Sequence, residues 1–188
     1  MKNENTVQFQ DGVIERATQL MSKAELEEKI ADLALRMNSE LKEPQHMLCV
    51  LTGGIVFAGK LMDYLTMPLT LDYVHATRYR GETSGDEVEW IVTPKQSMEG
   101  QEVLIVDDIY DVGTTIKAII DACYQQGAKK VRTVVMVDKV HDRKAYPELA
   151  MDFVACEMPD QYLFGSGMDY RHLLRNAPGI YAASEQDQ

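Results

Sequence analysis

Three carboxylates and a short hydroxyl-rich turn form the segment of this chain whose residue types point most directly to chemistry. Asp107 and Asp108 follow a continuously apolar run at residues 103–106, and Asp111 comes three residues after them. Gly113 and two threonines complete the segment. Such an apolar run is typical of a buried strand in a parallel sheet, and ligands bind beyond the carboxyl ends of these strands. The carboxylates are therefore expected to face a ligand.

The turn after the carboxylates has the composition of a phosphate-binding site. The apolar spacing after Gly113 predicts a helix over residues 114–125. The start of a helix exposes unpaired N–H groups and carries partial positive charge, and a glycine there lets a phosphate come close. Thr114 and Thr115 add hydroxyl donors. Two other phosphate motifs, G-x-x-x-x-G-K-[ST] and G-x-G-x-x-G, do not match this segment.

The carboxylates would repel a phosphate group, so they must serve the groups beside it. Ribose hydroxyls, a Mg²⁺ ion or a transferred proton are suitable partners for a carboxylate. Phosphate donors next to acids therefore predict a phosphorylated sugar as the ligand. The alternative is that Asp107 and Asp108 mark a solvated strand end and that Asp111 caps the helix.

Helix and strand patterns alternate along the chain and predict an α/β fold with a mainly parallel sheet. Ser22 and Glu25 form a capping box in front of an amphipathic helix that ends before Pro44. A second helix is predicted over residues 55–65, and a polar loop over residues 78–87. The predicted strands are residues 47–51, 69–77, 88–92, 102–106, 131–137, 153–156 and 180–183, of which 88–92 returns antiparallel.

The composition is ordinary for a soluble protein of one domain. The chain has 188 residues and a formal net charge of −11, which repels polyanions, so no nucleic-acid partner is expected. No secretory signal or membrane span is visible, and a cytoplasmic location without membrane association is expected. Buried thiols are expected for Cys49, Cys123 and Cys156. A structural or surface role is expected for His46, His75, His141 and His172, since they lack metal-ligand spacing.

The segment VLIVDDIYDVGTT at residues 103–115 resembles the ribosyl-phosphate signature of type I phosphoribosyltransferases. Flanking features narrow the resemblance to the hypoxanthine-guanine phosphoribosyltransferases. They are LTGG at residues 51–54, RY at residues 78–79, VDK at residues 137–139 and PDQYLFGSGMDYRHLLR at residues 159–175. The resemblance covers roughly residues 12–183.

The resemblance implies both a fold and an activity. The fold would be one phosphoribosyltransferase domain over residues 1–188, with a mainly parallel sheet flanked by helices. A small hood would form from the N-terminal segment and about residues 155–188. The activity would be transfer of the 5-phosphoribosyl group from PRPP to N9 of hypoxanthine or guanine, giving IMP or GMP and pyrophosphate. Mg²⁺ would be required, and a homo-oligomer, a dimer or tetramer, is expected.

The same resemblance assigns the ribose and phosphate contacts. Asp107 and Asp108 would hold the ribose hydroxyls, directly or through Mg²⁺, and Asp111 would be the catalytic acid or base near the purine N7. Asp169 would bind a second Mg²⁺. The full segment for ribose and PRPP would be Asp107, Asp108, Ile109, Tyr110, Asp111, Val112, Gly113, Thr114 and Thr115.

The pyrophosphate and loop assignments include two departures from the family pattern. Thr52, Gly53 and Arg175 would bind pyrophosphate, and the peptide bond before Thr52 would be cis. Relatives often carry Lys or Arg where this chain has Thr52, so its backbone must act instead. Arg78 and Tyr79 match a mobile loop that closes over the site, where many relatives have Ser in place of Arg78.

The base contacts follow from the last two motifs. Lys139 would donate to the 6-oxo group, which distinguishes hypoxanthine and guanine from adenine. Tyr162 would stack on the base, Leu163 would read its edge through the backbone, and Asp169 would border the same pocket. Ordinary structural roles remain alternatives for Lys139, Tyr162 and Arg175, and an exposed loop without a function remains the alternative for Arg78 and Tyr79. Selectivity for hypoxanthine alone or for xanthine, and a regulatory protein without catalysis, are the alternative functions.

Overall fold

The computed structural model describes residues 12–78 and 88–188. Its larger sheet has six strands in the order β4-β3-β2-β5-β6-β7. All neighbouring strands are parallel except β4, which runs antiparallel to β3 at one edge. This arrangement confirms the α/β fold with a mainly parallel sheet. The strands are β2 (Gln45–Val50), β3 (Leu69–Arg78), β4 (Val88–Val92), β5 (Glu102–Tyr110), β6 (Lys130–Val140) and β7 (Phe153–Pro159).

Helices cover both faces of the larger sheet, and the side chains of β5 alternate between them. Leu104 and Val106 pack in the hydrophobic cluster that contains the side chains of two helices, α2 (Lys23–Glu40) and α3 (Gly54–Met62). Val103 and Ile105 pack in the other cluster, together with helix α4 (Thr114–Gln125). Because both faces are buried, the strand reads as a continuous apolar run.

Helix α2 begins as its sequence predicts. The hydroxyl of Ser22 accepts a hydrogen bond from the N–H of Glu25, and the Glu25 carboxylate accepts from the N–H of Ser22 at 2.8 Å. This capping box satisfies two of the N–H groups that a helix start leaves unpaired. The apolar face that follows is buried through Leu26, Ile30, Leu33, Ala34 and Met37.

A second, smaller sheet has the strand order β1-β9-β8 and is antiparallel throughout. Its strands are β1 (Thr18–Met21), β8 (Leu163–Phe164) and β9 (Ile180–Ala182), and a short helix α1 (Val13–Arg16) precedes them. A separate aromatic and aliphatic cluster supports it, in which the rings of Phe164 and Tyr181 stack with their centroids 5.5 Å apart. Strand β7 lies in the larger sheet up to Pro159, so the interval predicted for the hood overlaps that sheet at its start. The division into domain and hood stays a prediction.

Three strands of the larger sheet extend several residues beyond their predicted ends, namely β5, β6 and β7. Strand β5 does not end at residue 106 but runs to Tyr110, because its pairing with β6 continues to Tyr110 and Asp138. Asp107 and Asp108 therefore lie within the last part of the strand. The segment from Asp169 to Arg175 contains several residues with positive φ.

The described cysteines are all buried free thiols, as expected. Burial raises the pKa of Cys49 and of Cys156 to about 11 and that of Cys123 to about 12. No helix in the two described ranges is both long and apolar enough to cross a membrane.

Candidate active site

The end of β5 and the turn after it line a cavity of about 370 Å³. Gly53, the residue before α3, and Asp169 and Arg175 from the segment between β8 and β9, line the same cavity. Every residue predicted to contact ribose or phosphate is among its lining residues: Asp107, Asp108, Ile109, Tyr110, Asp111, Val112, Gly113, Thr114 and Thr115.

Asp107 and Asp108 are adjacent carboxylates of β5, of which Asp108 is buried and Asp107 is partly buried. Burial, and after it the negative charge of Asp108, raise the pKa of Asp107 well above its ordinary value. Burial also raises the pKa of Asp108, although its contact with Asp107 and the charge of Arg175 oppose that shift. Paired buried carboxylates fit a divalent cation, because Mg²⁺ prefers oxygen ligands and would offset both charges.

Gly113 turns the chain from β5 into α4. Its φ of 94° lies in the left-handed region, and a Cβ at this position would meet the ring of Tyr110 at 2.7 Å. Within the described residues, no side chain makes a capping hydrogen bond at the start of α4, and the buried Oγ1 of Thr114 has no partner. The helix start therefore has free donors, which fits the binding of an anion.

Asp169 and Arg175 form an ion pair at the cavity. Nη2 of Arg175 lies 2.8 Å from Oδ1 of Asp169, and Nη1 donates to the carbonyl of Gly167 at 2.6 Å. The second carboxylate oxygen of Asp169 accepts from the N–H of His172 at 2.7 Å. These contacts fix a guanidinium at the cavity that Asp107 and Asp108 also line, where its charge acts on Asp108.

The loop before α3 approaches the same carboxylates through its backbone. The peptide bond between Leu51 and Thr52 is cis, as the resemblance implies. A Cβ at Gly53 would overlap the Asp108 carboxylate, so only glycine fits without displacing that group. Leu51 and Gly53 line the cavity, whereas Thr52 is not among its lining residues. The predicted role of Thr52 in binding pyrophosphate stays a prediction.

Lys139 and Asp111 come together because they follow paired positions of neighbouring strands. Tyr110 of β5 pairs with Asp138 of β6. The residues that follow them, Asp111 and Lys139, therefore lie next to each other. Nζ of Lys139 lies 3.5 Å from Oδ2 of Asp111 and 3.2 Å from Oδ1 of Asp160. The lysine residue is only 9% exposed, which is unusual for an unpaired ammonium group and is explained by these two acids.

Three further residues contact Lys139 or Asp111, namely His141, Arg143 and Asp160. The sequence analysis assigned none of them to the site. Nε2 of His141 lies 2.7 Å from Oδ1 of Asp111. Arg143 forms a two-point contact with Asp160, at 2.6 and 3.3 Å, which lowers the pKa of that carboxyl to about 2. The only available signal was that His141 and Arg143 follow Lys139 by two and four positions.

Tyr162 and Leu163 lie at the start of β8 and do not line the cavity. The Tyr162 residue is 37% exposed, and its hydroxyl accepts a hydrogen bond from the N–H of Arg171 at 3.3 Å. Leu163 is buried in the core and its backbone pairs with Ala182. Their predicted purine contacts stay predictions.

The predicted mobile loop is described only at its beginning. Arg78 is the last residue of β3, where its backbone pairs with that of Val88. Tyr79 lies outside the described residues.

Comparisons with known proteins show which family this chain resembles. The model of the phosphoribosyl transferase domain family matches residues 17–171. The hypoxanthine-guanine phosphoribosyltransferase of Bacillus subtilis is 32% identical over 163 residues, which cover 86% of this chain and 89% of the relative.

Two solved structures share the fold over most of their length. A hypoxanthine-guanine phosphoribosyltransferase from Bacillus anthracis has a TM-score of 0.81 at 26% identity, covering 89% of this chain and 96% of the other. The hypoxanthine phosphoribosyltransferase of Trypanosoma cruzi in complex with the product IMP has a TM-score of 0.83 at 25% identity, covering 92% and 97%. The chain therefore belongs to the phosphoribosyltransferase family and, within it, to the hypoxanthine-guanine phosphoribosyltransferases.

Proposed function

We propose that this chain transfers the 5-phosphoribosyl group of PRPP to N9 of hypoxanthine or guanine, releasing pyrophosphate and forming IMP or GMP. One observation carries the proposal: a single cavity joins the buried acids of β5, the free helix start after Gly113 and the guanidinium of Arg175. The IMP complex of the similar Trypanosoma cruzi enzyme supports the same class of product.

Two neighbouring parts of the cavity hold the 5′-phosphate and the ribose. The N–H groups at the start of α4 and the hydroxyls of Thr114 and Thr115 hold the 5′-phosphate. Asp107 and Asp108 accept hydrogen bonds from the ribose hydroxyls and hold Mg²⁺. A Mg²⁺ ion held by these residues would supply positive charge near the leaving pyrophosphate.

The base is recognised along the edge that carries N7 and the 6-oxo group. These two purine atoms are neighbours on one edge, and the 3.5 Å separation of Lys139 Nζ and Asp111 Oδ2 suits one contact to each. Lys139 donates to the 6-oxo oxygen and Asp111 faces N7. An adenine would present a 6-amino donor to the ammonium, so 6-oxopurines are preferred.

In the reaction, the bond between C1 of the ribose and the pyrophosphate oxygen breaks, and both of its electrons leave with pyrophosphate. N9 of the purine forms the new bond to C1, and the purine loses its proton toward Asp111. Arg175 stabilises the charge that develops on pyrophosphate.

Several finer assignments belong to this proposal. Thr52 and Gly53 bind pyrophosphate through their backbone, Asp169 holds a second Mg²⁺, and Tyr162 and Leu163 contact the purine. The protein works in the cytoplasm as a homo-oligomer.

The test is to mix the protein with PRPP, Mg²⁺ and, in turn, hypoxanthine, guanine, xanthine or adenine, and to measure nucleotide and pyrophosphate by chromatography. Turnover is expected with hypoxanthine or guanine and not with adenine. The variant Asp111→Asn is expected to lower kcat by about 10²- to 10⁴-fold while PRPP still binds. Binding of PRPP without turnover of any 6-oxopurine would favour a regulatory protein instead.

A further inference from the structure

We propose that His141 is a positioning residue for Asp111, an inference that rests on the proposed function of Asp111 at the purine. His141 lies just after strand β6, and Asp111 lies just after the neighbouring strand β5. The Nε2 atom of His141 is 2.7 Å from Oδ1 of Asp111, which is the shortest described contact to the Asp111 carboxylate. The imidazole thus holds one carboxylate oxygen of Asp111 and leaves the other, Oδ2, to contact the purine.

The hydrogen bonds around the imidazole define which nitrogen carries the proton. The backbone N–H of Arg143 donates to Nδ1 of His141 at 3.0 Å. A nitrogen that accepts a hydrogen bond cannot also carry a proton, so the proton resides on Nε2. Nε2–H is then the donor and Oδ1 of Asp111 is the acceptor. The contact from the Arg143 backbone therefore fixes the direction of the His141–Asp111 hydrogen bond.

Burial makes this contact different from that of a surface histidine. The side chain of His141 is 3% exposed, whereas that of Asp111 is 41% exposed. A buried donor behind an accessible carboxylate restrains the carboxylate without covering it. Such an outer contact holds a reacting group close to its productive orientation, where small displacements cost much of the rate.

The other charged neighbours of Asp111 cannot replace this restraint. Lys139 is shared with Asp160 and, under the proposed function, donates to the purine 6-oxo group. Arg143 lies 3.7 Å from Oδ1 of Asp111 and is engaged at two points by Asp160. His141 is the remaining contact, and it has no competing acidic partner among the described residues.

A metal ion is a poorer explanation for the same group. Asp111, His141 and Asp160 offer ligand atoms within 4.8 Å of one another. However, Lys139 and Arg143 already place two positive charges against these carboxylates. A cation would have to displace both, so the arrangement serves the hydrogen bond to Asp111.

The test compares His141→Leu with His141→Gln in the full-length protein. Leucine removes the donor, whereas the side-chain amide of glutamine can donate to Asp111 from nearly the same place as Nε2. We expect His141→Leu to lower kcat roughly 10- to 100-fold with the KM for PRPP unchanged, and His141→Gln to recover most of that loss. In an Asp111→Asn background, His141→Leu is expected to have little further effect on kcat.

A second readout is independent of turnover. Long-range ¹H–¹⁵N spectra of the wild-type protein are expected to report a proton on Nε2 of His141, with a resonance that shifts in Asp111→Asn. A proton on Nδ1, or an unchanged kcat in His141→Leu, would overturn the proposal. So would equal losses in the leucine and glutamine variants, which would indicate a purely structural side chain. Failure of the proposed function would instead appear as no turnover by the wild-type protein.

Discussion

The carboxylate of Asp108 occupies the space in which a side chain on Gly53 would begin. Gly53 has an ordinary helical backbone, with φ −64° and ψ −41°, so an alanine there is excluded by the carboxylate and not by its dihedral angles. The loop before α3 and the end of β5 are therefore fitted to each other at the cavity.

Gly53→Ala is expected to displace the Asp108 carboxylate and weaken PRPP–Mg²⁺ binding roughly tenfold or more, because both ligands depend on that group. Isothermal titration with PRPP and Mg²⁺ measures the effect. The matched control is Gly59→Ala within α3, the helix that Gly53 precedes, where a Cβ meets no atom within 4 Å. The control is expected to bind PRPP normally and to be more stable by about 0.5–1 kcal/mol. Equal PRPP affinities in both variants would contradict the prediction.

Asp107→Asn is expected to stabilise the fold at neutral pH. The pKa of Asp107 is raised in the folded protein, so the folded state holds its proton to higher pH than the unfolded state does. Stability should therefore fall as the pH rises above about 4, the ordinary value for aspartate. The asparagine variant should be more stable at pH 7 by on the order of 1 kcal/mol and should show a flatter profile.

Urea unfolding of both forms between pH 4 and 8 measures this difference. Added Mg²⁺ should stabilise the wild-type protein at pH 7 more than the variant, because it binds the folded pair. Superimposable pH profiles would show that the buried acid does not control stability.

Arg175→Lys is expected to weaken pyrophosphate binding about 10- to 100-fold. A lysine cannot make the two separate contacts that Arg175 makes to Asp169 and to the Gly167 carbonyl, nor offer a planar fork to pyrophosphate. Product inhibition by pyrophosphate measures the effect. Arg171→Lys in the same segment is the control and should stay within about twofold of the wild type. A similar loss in both variants would argue against a specific role for Arg175.

Lys139→Met is expected to raise the KM for hypoxanthine and guanine about 10- to 100-fold with little change in the KM for PRPP, because the contact proposed for the ammonium is to the purine and not to PRPP. Steady-state kinetics with each substrate varied in turn separate the two effects. Lys130→Met changes an exposed lysine at the other end of the same strand and should leave both constants unchanged. A change confined to the KM for PRPP would contradict the assignment.

Ser22→Ala is expected to destabilise the fold by about 1 kcal/mol without changing kcat, since it removes the cap of α2 far from the cavity. Urea unfolding measures the loss. Ser39→Ala, near the other end of the same helix, removes only a hydrogen bond to the carbonyl of Arg36 and should cost less than about 0.5 kcal/mol. Equal losses would mean that the capping box adds nothing at this site.

The sequence predicts those parts of the molecule that depend on local pattern. Helix α4 spans Thr114–Gln125, the same residues that its apolar spacing indicates, and the capping box at Ser22 is present. The antiparallel strand Val88–Val92 also agrees with its prediction. In these segments local preferences and tertiary packing favour the same structure.

Other features depend on contacts between distant segments. The extension of β5 to Tyr110 requires the partner strand β6, and the ion pair of Asp169 with Arg175 forms across turns of unusual backbone conformation. The contact of His141 with Asp111 follows from the register of two strands whose side chains give no signal in the linear sequence. Residues 30 positions apart meet there only once the sheet is formed.

The alternation of side chains along β5 constrains how this segment can evolve. Leu104 and Val106 face one cluster, and Val103 and Ile105 face the other. Because side chains alternate with a period of two, inserting or deleting one residue upstream would exchange the two sets and would also exchange the faces of Asp107 and Asp108. Changes of length between the start of this strand and Tyr110 are therefore expected to be tolerated far less readily than substitutions.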